Sequence, residues 1–343
     1  MKILIDINHP AHVHFFKMPA KLLQDKGHQI VFSSRDKDVT LALLNELGLE
    51  SRILSKIGDK GMFSLAKELV FRNYSLYKLT KEIKPDVLAA VGGTFVAHVG
   101  TLSRIPSVVF YDTENAKLQN LITYPFASKV VVPSCYQAWL PKHHIKYPGY
   151  HELSYLHPDY FSPSQEIARQ NGIDVKRRNI FIRLVSWQAN HDVGETGWST
   201  ELLSRLISEF SKVANIIISS EIALQQNFEP YLYKGEIAQI HHVMAYCDVV
   251  VGESATMASE AAVMGVPAIY AAETGRGYTD EQEAKFDLVS NIRDFKWHNL
   301  KAAIYNVLDK ERSYYKARKS ELLESNVDVA AFAAETILEQ ASV

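Results

Sequence analysis

The chain has 343 residues, more than one ordinary hydrophobic core supports, so the sequence predicts two domains. Its 37 basic and 39 acidic residues leave a formal net charge of −2, which offers no electrostatic basis for a nucleic-acid partner. Two cysteines, Cys135 and Cys247, are too few for a disulfide framework. No apolar run reaches the roughly 20 residues of a membrane-spanning helix, and the opening MKILIDINHP lacks the pattern of a signal peptide, so we expect a cytoplasmic protein.

Apolar strand patterns and amphipathic helix patterns alternate along most of the chain. In chain order, strands are predicted at 2–7, 28–34, 49–54, 86–91, 106–111 and 128–132, with helices between them that include 14–26, 37–47 and 62–82. The pattern lapses between about Tyr147 and Pro163. It then resumes with strands near 179–185, 214–219, 248–251 and 266–270, and 290–343 is predicted to be wholly helical.

This alternation predicts an α/β fold with two doubly wound, Rossmann-like domains that face each other across a cleft. The expected domains are 1–150 and 179–325, joined by a linker over 151–178. A last helix, 326–343, is expected to pack back on the first domain. Polar clusters that follow the predicted strands would then line the cleft.

The first strand is followed by three histidines, His9, His12 and His14. His12 or His14 is a candidate general base near neutral pH. The spacing also allows a metal site, although no cysteine lies nearby, and it allows histidines that cap the helix or fill a surface.

Two carboxylates, Asp112 and Glu114, follow the fifth strand. If the strand continues, both project to the same side, where they could orient an acceptor hydroxyl or polarise a histidine. Alternatively, one of them caps the helix predicted near 116–123.

The most informative segment is Cys247–Tyr270, with a short apolar strand, a turn of small residues beginning at Gly252, and a helix opening at Ser254. The amides of Ser254, Ala255 and Thr256 would face an approaching anion, which a helix N-terminus favours. Glu260, further along this helix, could accept hydrogen bonds from a sugar diol or be an ordinary solvated residue. Together these features predict a site for a nucleotide or nucleotide-sugar.

Other strand ends of the second half carry further polar residues. Arg183 and Ser186 could meet phosphate oxygens, and Ser219 and Glu221 could hold a base or ribose. The remaining candidates are Arg276, in a loop with two glycines, and His191 with Asp192, in a loop that could reach the cleft.

Two other features have plainer explanations. The segment 56–84 mixes lysines with aromatic residues, which is typical of an amphipathic helix with a solvated basic face; the alternative is a membrane-surface or lipid-acceptor face. His241 and His242 are interpreted as exposed or packed histidines without partners.

Four motifs resemble a bacterial and archaeal domain of unknown function within the GT-B glycosyltransferase superfamily. They are INHPAHVHFF (7–16), YDTENAKLQNLITYPFA (111–127), YHELSYLHP (150–158) and GESATMASEAAVMGVPAIY (252–270). AHVHF is also similar to the loop of the enzyme that adds N-acetylglucosamine to lipid-linked muramoyl-peptide, where a histidine corresponds to His12. That enzyme's loop glycines are replaced here by Pro10 and Ala11.

The resemblance implies that 1–150 binds the acceptor and 179–325 binds the nucleotide-sugar, with Glu260 on the ribose. The implied activity is metal-independent transfer of a sugar from a nucleotide-sugar donor, expected to be UDP-linked. The acceptor would be a hydroxyl of a glycan or a lipid-linked molecule in surface-glycan or glycolipid biosynthesis. No cofactor beyond the donor is expected. One alternative is a non-hydrolysing UDP-N-acetylglucosamine 2-epimerase, whose usual GTRPE opening is replaced here by NHPAH. The other is a nucleotide-sugar-binding protein without catalysis.

Overall fold

A computed structural model describes residues 1–36, 38–56, 62–186 and 197–342. The chain forms two compact units, Met1–Tyr155 with Val327–Val343, and Leu156–Asn326. Each unit is built on one parallel β-sheet.

The first unit contains a seven-stranded sheet in the order β3-β2-β1-β4-β5-β6-β7. Its strands are β1 (Lys2–Ile7), β2 (Gln29–Asp36), β3 (Ser51–Lys56), β4 (Val87–Val91), β5 (Ser107–Phe110), β6 (Lys129–Pro133) and β7 (His144–Tyr147). The helices that follow along the chain are α1 (Pro10–Asp25), α2 (Asp38–Glu46), α3 (Met62–Ile83), α4 (Thr94–Ser103), α5 (Lys117–Thr123) and α6 (Leu153–Leu156).

The second unit contains a five-stranded sheet in the order β12-β11-β10-β8-β9. Its strands are β8 (Arg178–Leu184), β9 (Ala214–Ser220), β10 (Val249–Gly252), β11 (Ala268–Ala271) and β12 (Val289–Ile292). The helices are α7 (Gln165–Gln170), α8 (Thr200–Phe210), α9 (Ile240–Met244), α10 (Ala255–Met264), α11 (Gly277–Phe286), α12 (Trp297–Asp309) and α13 (Arg312–Glu324), with 3-10 turns at Gln226–Tyr231 and Ile237–Gln239.

A final helix, α14 (Val329–Ala341), belongs to the first unit, where it packs against α1. The ring of Phe332 lies 5.0 Å from that of Tyr147 at the end of β7. Asp328 caps the helix by accepting a hydrogen bond from the amide of Ala331.

A buried ion pair anchors the carboxyl end of β1. Both carboxylate oxygens of Asp6 lie 3.1 Å from Nη2 of Arg72 on α3, and the two side chains are 0% and 1% exposed. The hydroxyl of Ser33 on β2 donates to the same carboxylate at 2.8 Å. A buried charge is tolerated only when it is paired. This network therefore fixes α3 and β2 beside the end of β1, just before the helix start at which His9 and His12 lie.

The predicted strands are confirmed, with ends shifted by a few residues, and the α/β class with two doubly wound Rossmann-like units is confirmed. The prediction that 290–343 is wholly helical is wrong, because β12 extends to Ile292. The prediction also omitted β7. Both are four-residue strands at a sheet edge, and two of the four residues in each are polar, so no continuous apolar run marks them in the sequence.

Within the predicted linker lie α6 and α7, and the chain passes from the first unit to the second after Tyr155. In the described part of the chain, no helix has the length and apolar character that crossing a membrane requires.

Candidate functional site

Two histidines open α1 directly after β1. His9 is the N-cap, with Nδ1 accepting a hydrogen bond from the amide of Ala11 at 3.2 Å, and Pro10 supplies the fixed backbone of the first helical turn. The ring of His12 lies 5.8 Å from that of His9, and its Nδ1 accepts from the amide of Asn8 at 3.4 Å. Among the described residues, no group of three His, Cys, Asp or Glu is placed to hold a metal ion.

Asp112 lies just beyond β5, beside a histidine that the sequence analysis did not single out. Its Oδ2 is 3.4 Å from Nδ1 of His151, and the hydroxyl of Thr113 donates to Oδ1 at 3.0 Å. Burial by itself would raise the pKa of Asp112, but His151 and Thr113 together lower it to about 2. The carboxylate is therefore ionised throughout the neutral range.

His151 is fixed by packing as well as by charge. Its side chain is 8% exposed, its ring lies 4.5 Å from that of Phe15, and Nε2 is buried without a hydrogen-bond partner in the described chain. With Nδ1 facing a carboxylate, Nε2 is the ring nitrogen left for another group. The only signal in the sequence was that His151 falls within the YHELSYLHP motif.

His12 lies in the electrostatic field of this pair. Burial and the neighbouring His9 hold the pKa of His12 well below its usual value of 6.5, and the Asp112 carboxylate offsets only part of this. A neutral imidazole is therefore the form present at neutral pH, which is the form that can accept a proton.

The other two predicted catalytic residues are placed differently. His14 is 7% exposed and stacks on Tyr155 with ring centroids 5.2 Å apart, so it is a core residue of the first unit. Asp112 and Glu114 were expected to project to the same side if the strand continued, but β5 ends at Phe110, so that condition is not met. Glu114 accepts a hydrogen bond from the amide of Gln137. Neither carboxylate caps α5, whose N-cap is Ala116.

In the second unit, α10 begins at the carboxyl end of β10. Ser254 is the N-cap, and its hydroxyl accepts from the amide of Met257 at 3.2 Å. The amides of Ala255 and Thr256 have no acceptor in the described part of the chain. Unpaired amides at a helix start carry partial positive charge, which favours an anion by roughly 0.3–1 kcal/mol, up to about 2 when partly buried.

Arg276 lies at the same edge of this sheet. It is the N-cap of α11, the helix that follows the neighbouring strand β11. α11 packs on α10, and Gln282 of α11 donates a 2.8 Å hydrogen bond to Ser259 of α10. Arg276 is 8% exposed, and its Nη1 donates to Thr274 and to the carbonyl of Gly275. Among the residues that the structure describes, no carboxylate forms an ion pair with this guanidinium.

Four further predicted residues meet in one network at the ends of β8 and β9. Arg183 donates to the hydroxyl of Ser219 at 2.7 Å and forms an ion pair with Glu221. Ser186 donates to the same carboxylate through its amide at 3.1 Å and its hydroxyl at 3.2 Å. Because Glu221 neutralises Arg183, Arg276 rather than Arg183 is the arginine available to an anion. His191 and Asp192 lie outside the described residues.

The two residues before the N-cap have structural functions. A Cβ on Gly252 would lie 2.1 Å from the carbonyl oxygen of Arg183, so glycine permits the close approach of β10 and β8. Glu253, which the sequence analysis did not single out, is 3% exposed and accepts hydrogen bonds from the amides of Val185 and Trp198.

Glu260 is not a solvated helix residue. Its Oε1 lies 3.0 Å from Nε2 of His241, and both side chains are buried. His242 accepts a hydrogen bond from the amide of Ser164 at 3.0 Å. The prediction that His241 and His242 have no partners is therefore wrong.

The lowered pKa of His12 predicts a pH-dependent stability. Below pH 6.5 the unfolded chain binds a proton at His12 that the folded chain does not, so the free energy of unfolding falls as the pH falls from about 6.5. We expect His12→Gln to lose less stability than the wild type between pH 7 and pH 5, measured by urea unfolding. His28→Gln is the control, because His28 lies beside Met1 at the amino ends of β1 and β2. Its free energy of unfolding should change with pH as that of the wild type does. If the free energy of unfolding fell equally with pH in the wild type and in His12→Gln, the lowered pKa of His12 would be contradicted.

Comparison with solved structures relates the fold to two enzymes. A UDP-GlcNAc 2-epimerase from Neisseria meningitidis bound to UDP-GlcNAc is similar with a TM-score of 0.66 and 12% identity, covering 99% of each chain. The spinosyn rhamnosyltransferase SpnG complexed with thymidine diphosphate is similar with a TM-score of 0.66 and 12% identity, covering 98% of this chain and 99% of that one. The fold is thus the two-unit GT-B fold of nucleotide-sugar glycosyltransferases and of this epimerase.

Sequence comparison identifies the family. The uncharacterized protein MJ0665 of Methanocaldococcus jannaschii is 22% identical over 288 residues, which cover 78% of this chain and 81% of that protein. The model of the family described as protein of unknown function DUF354 matches residues 1–296. The chain is therefore a member of the DUF354 family.

Proposed function

We propose that the protein is a metal-independent glycosyltransferase that moves a sugar from a UDP-linked donor to an acceptor hydroxyl in surface-glycan or glycolipid biosynthesis. The observation that carries this proposal is the pair of amides at Ala255 and Thr256, which have no acceptor among the described residues, together with the buried Arg276 at the same sheet edge, which forms no ion pair with a described carboxylate. The two features supply positive potential where a diphosphate would lie.

Donor chemistry requires that the charge developing on the departing nucleoside diphosphate be stabilised. A helix N-terminus and an arginine fork do this without a divalent cation, because both are oriented before the reaction begins. In this proposal Ser254, Ala255 and Thr256 bind the diphosphate and Glu260 binds the ribose. The network of Arg183, Ser186, Ser219 and Glu221 lies at the neighbouring strand ends, where it would contact the rest of the donor.

Acceptor activation is assigned to the first unit. His12, neutral at neutral pH, would take the proton of the acceptor hydroxyl, and the ionised Asp112 would stabilise the imidazolium that forms. His151, whose Nδ1 lies 3.4 Å from Asp112, would hold this carboxylate in place. Proton transfer to a positioned base contributes roughly 10²–10⁴-fold in rate.

The proposal predicts that Arg276→Met weakens binding of UDP about tenfold to a hundredfold, because a charge-assisted hydrogen bond to phosphate is lost. Isothermal titration calorimetry measures this directly. Arg205→Met is the matched control: Arg205 lies on α8 in the same unit and is paired with Glu201 at 2.7 Å, so UDP affinity should change by less than about threefold. Equal UDP affinity in Arg276→Met and the wild type would refute the diphosphate site.

A second candidate activity is 2-epimerisation of a nucleotide-sugar, which the likeness to the Neisseria meningitidis epimerase favours. Incubation of the protein with UDP-N-acetylglucosamine and no acceptor separates the two, since only an epimerase yields the manno isomer. We expect proton NMR to find no manno isomer, and His12→Ala to abolish transfer to an added acceptor while UDP still binds. Accumulation of the manno isomer would establish the epimerase instead.

Contact with a membrane surface, predicted from 56–84, is retained as part of the proposal. On the described part of α3, Val70, Phe71 and Tyr74 are 70%, 56% and 64% exposed, and Lys78 and Lys81 follow on the same helix. Exposed apolar side chains with neighbouring lysines suit an anionic lipid surface, where a lipid-linked acceptor would reside.

Accordingly, Val70→Glu/Phe71→Glu should abolish co-sedimentation with vesicles that contain phosphatidylglycerol. The control is Val175→Glu/Val213→Glu, which changes two residues that are each 52% exposed in the second unit and should leave co-sedimentation unchanged. If the wild type bound neither anionic nor neutral vesicles, the proposed membrane contact would be refuted.

A further inference from the structure

Glu260 is the only charged residue of α10, and it lies in an unusually enclosed position. Nine of the ten residues of this helix are buried, and Glu260 itself is 5% exposed. A carboxylate in such surroundings destabilises the fold by several kcal/mol unless it is paired and hydrogen-bonded. A purely structural position here would be filled more easily by an apolar side chain of similar volume.

The partner of Glu260 is a histidine rather than an arginine or lysine. Nε2 of His241 lies 3.0 Å from Oε1 of Glu260, and the His241 side chain is 3% exposed. The His241 ring packs edge-on against Phe161 with centroids 6.2 Å apart, and the next residue, His242, ties α9 to the amide of Ser164. His241 is therefore a fixed donor, held by contacts that do not involve Glu260.

The backbone of Glu260 is fixed independently. Ser254 caps the start of α10, Gly265 ends it in the left-handed conformation, and Ser259 accepts a hydrogen bond from Gln282 of α11. The remaining freedom of Glu260 lies in its side-chain torsions, and the bond from His241 restricts them. A carboxylate has about four lone-pair positions, so it can accept hydrogen bonds from several donors at once.

We infer that His241 is a positioning residue that holds the Glu260 carboxylate in the orientation that accepts hydrogen bonds from the ribose hydroxyls, and that this pair sets a preference for ribonucleotides over 2′-deoxyribonucleotides. The inference rests on the proposed function and names the donor class of that same site. A site built to bond a hydroxyl rejects an analogue that lacks it, because the buried acceptor then loses its partner. The donor class is accordingly a ribonucleoside diphosphate sugar rather than a thymidine one.

The test compares UDP with 2′-deoxyuridine diphosphate by calorimetry on the full chain. We expect the wild type to bind UDP at least about tenfold more tightly than its 2′-deoxy form. His241→Ala should weaken UDP about tenfold and change the 2′-deoxy form much less, so that the preference falls below about threefold. His241→Gln, whose amide also donates, should restore most of the preference.

His298→Ala is the matched control, because His298 is an exposed histidine on α12 of the same unit, and its preference should equal that of the wild type. A His241→Ala protein that binds UDP and keeps the full preference overturns the positioning role. Equal affinity of the wild type for both diphosphates overturns the ribose contact while leaving the diphosphate site intact. A wild type that binds neither diphosphate overturns the proposed function and this inference with it.

Discussion

The start of α10 is the constraint on which the functional account of this protein depends. Ser254 satisfies one of the orphan amides of the helix, that of Met257, while those of Ala255 and Thr256 have no acceptor among the residues that the structure describes. The small side chains of this turn allow an anion to approach, and Arg276 adds a full charge at the same sheet edge. Gly252 makes this arrangement possible, since only glycine lets β10 lie so close to β8.

The acidic residues around this edge are kept from opposing an anion by partners of their own. Glu221 is paired with Arg183, Glu253 is bonded to two backbone amides, and Glu260 is bonded to His241. These three carboxylates thus have partners within the chain, whereas Arg276 forms no ion pair with any carboxylate that the structure describes. In the first unit the balance is reversed: an ionised Asp112 contacts His151 and acts electrostatically on a neutral His12, an arrangement suited to moving a proton rather than to holding an anion.

Much of the fold was accessible from local patterns in the sequence. Continuous apolar runs marked the central strands, and the step from Val251 through Gly252 to Ser254 marked the start of α10 because glycine, serine and small residues have specific functions in such turns. The edge strands β7 and β12 were missed because their polar residues interrupt any run. The grouping of Arg183, Ser186, Ser219 and Glu221 was also accessible, since adjacent parallel strands end at the same edge.

The pairings of individual charges were not accessible in the same way. Asp112 with His151 and His241 with Glu260 join residues that are distant in sequence, and only the packing of the sheet and helices brings them together. The same holds for Asp6 with Arg72. His14 was predicted as a candidate base but is buried against Tyr155, and no short-range pattern in the sequence encodes that stacking.

The most direct test of the account is hydrogen exchange at the opening of α10. Amides without a protein acceptor exchange rapidly, and a bound diphosphate would supply that acceptor. We expect saturating UDP to slow exchange at Ala255 and Thr256, with little change along α12. Bound UDP that leaves these two amides unprotected and slows exchange elsewhere would contradict the account.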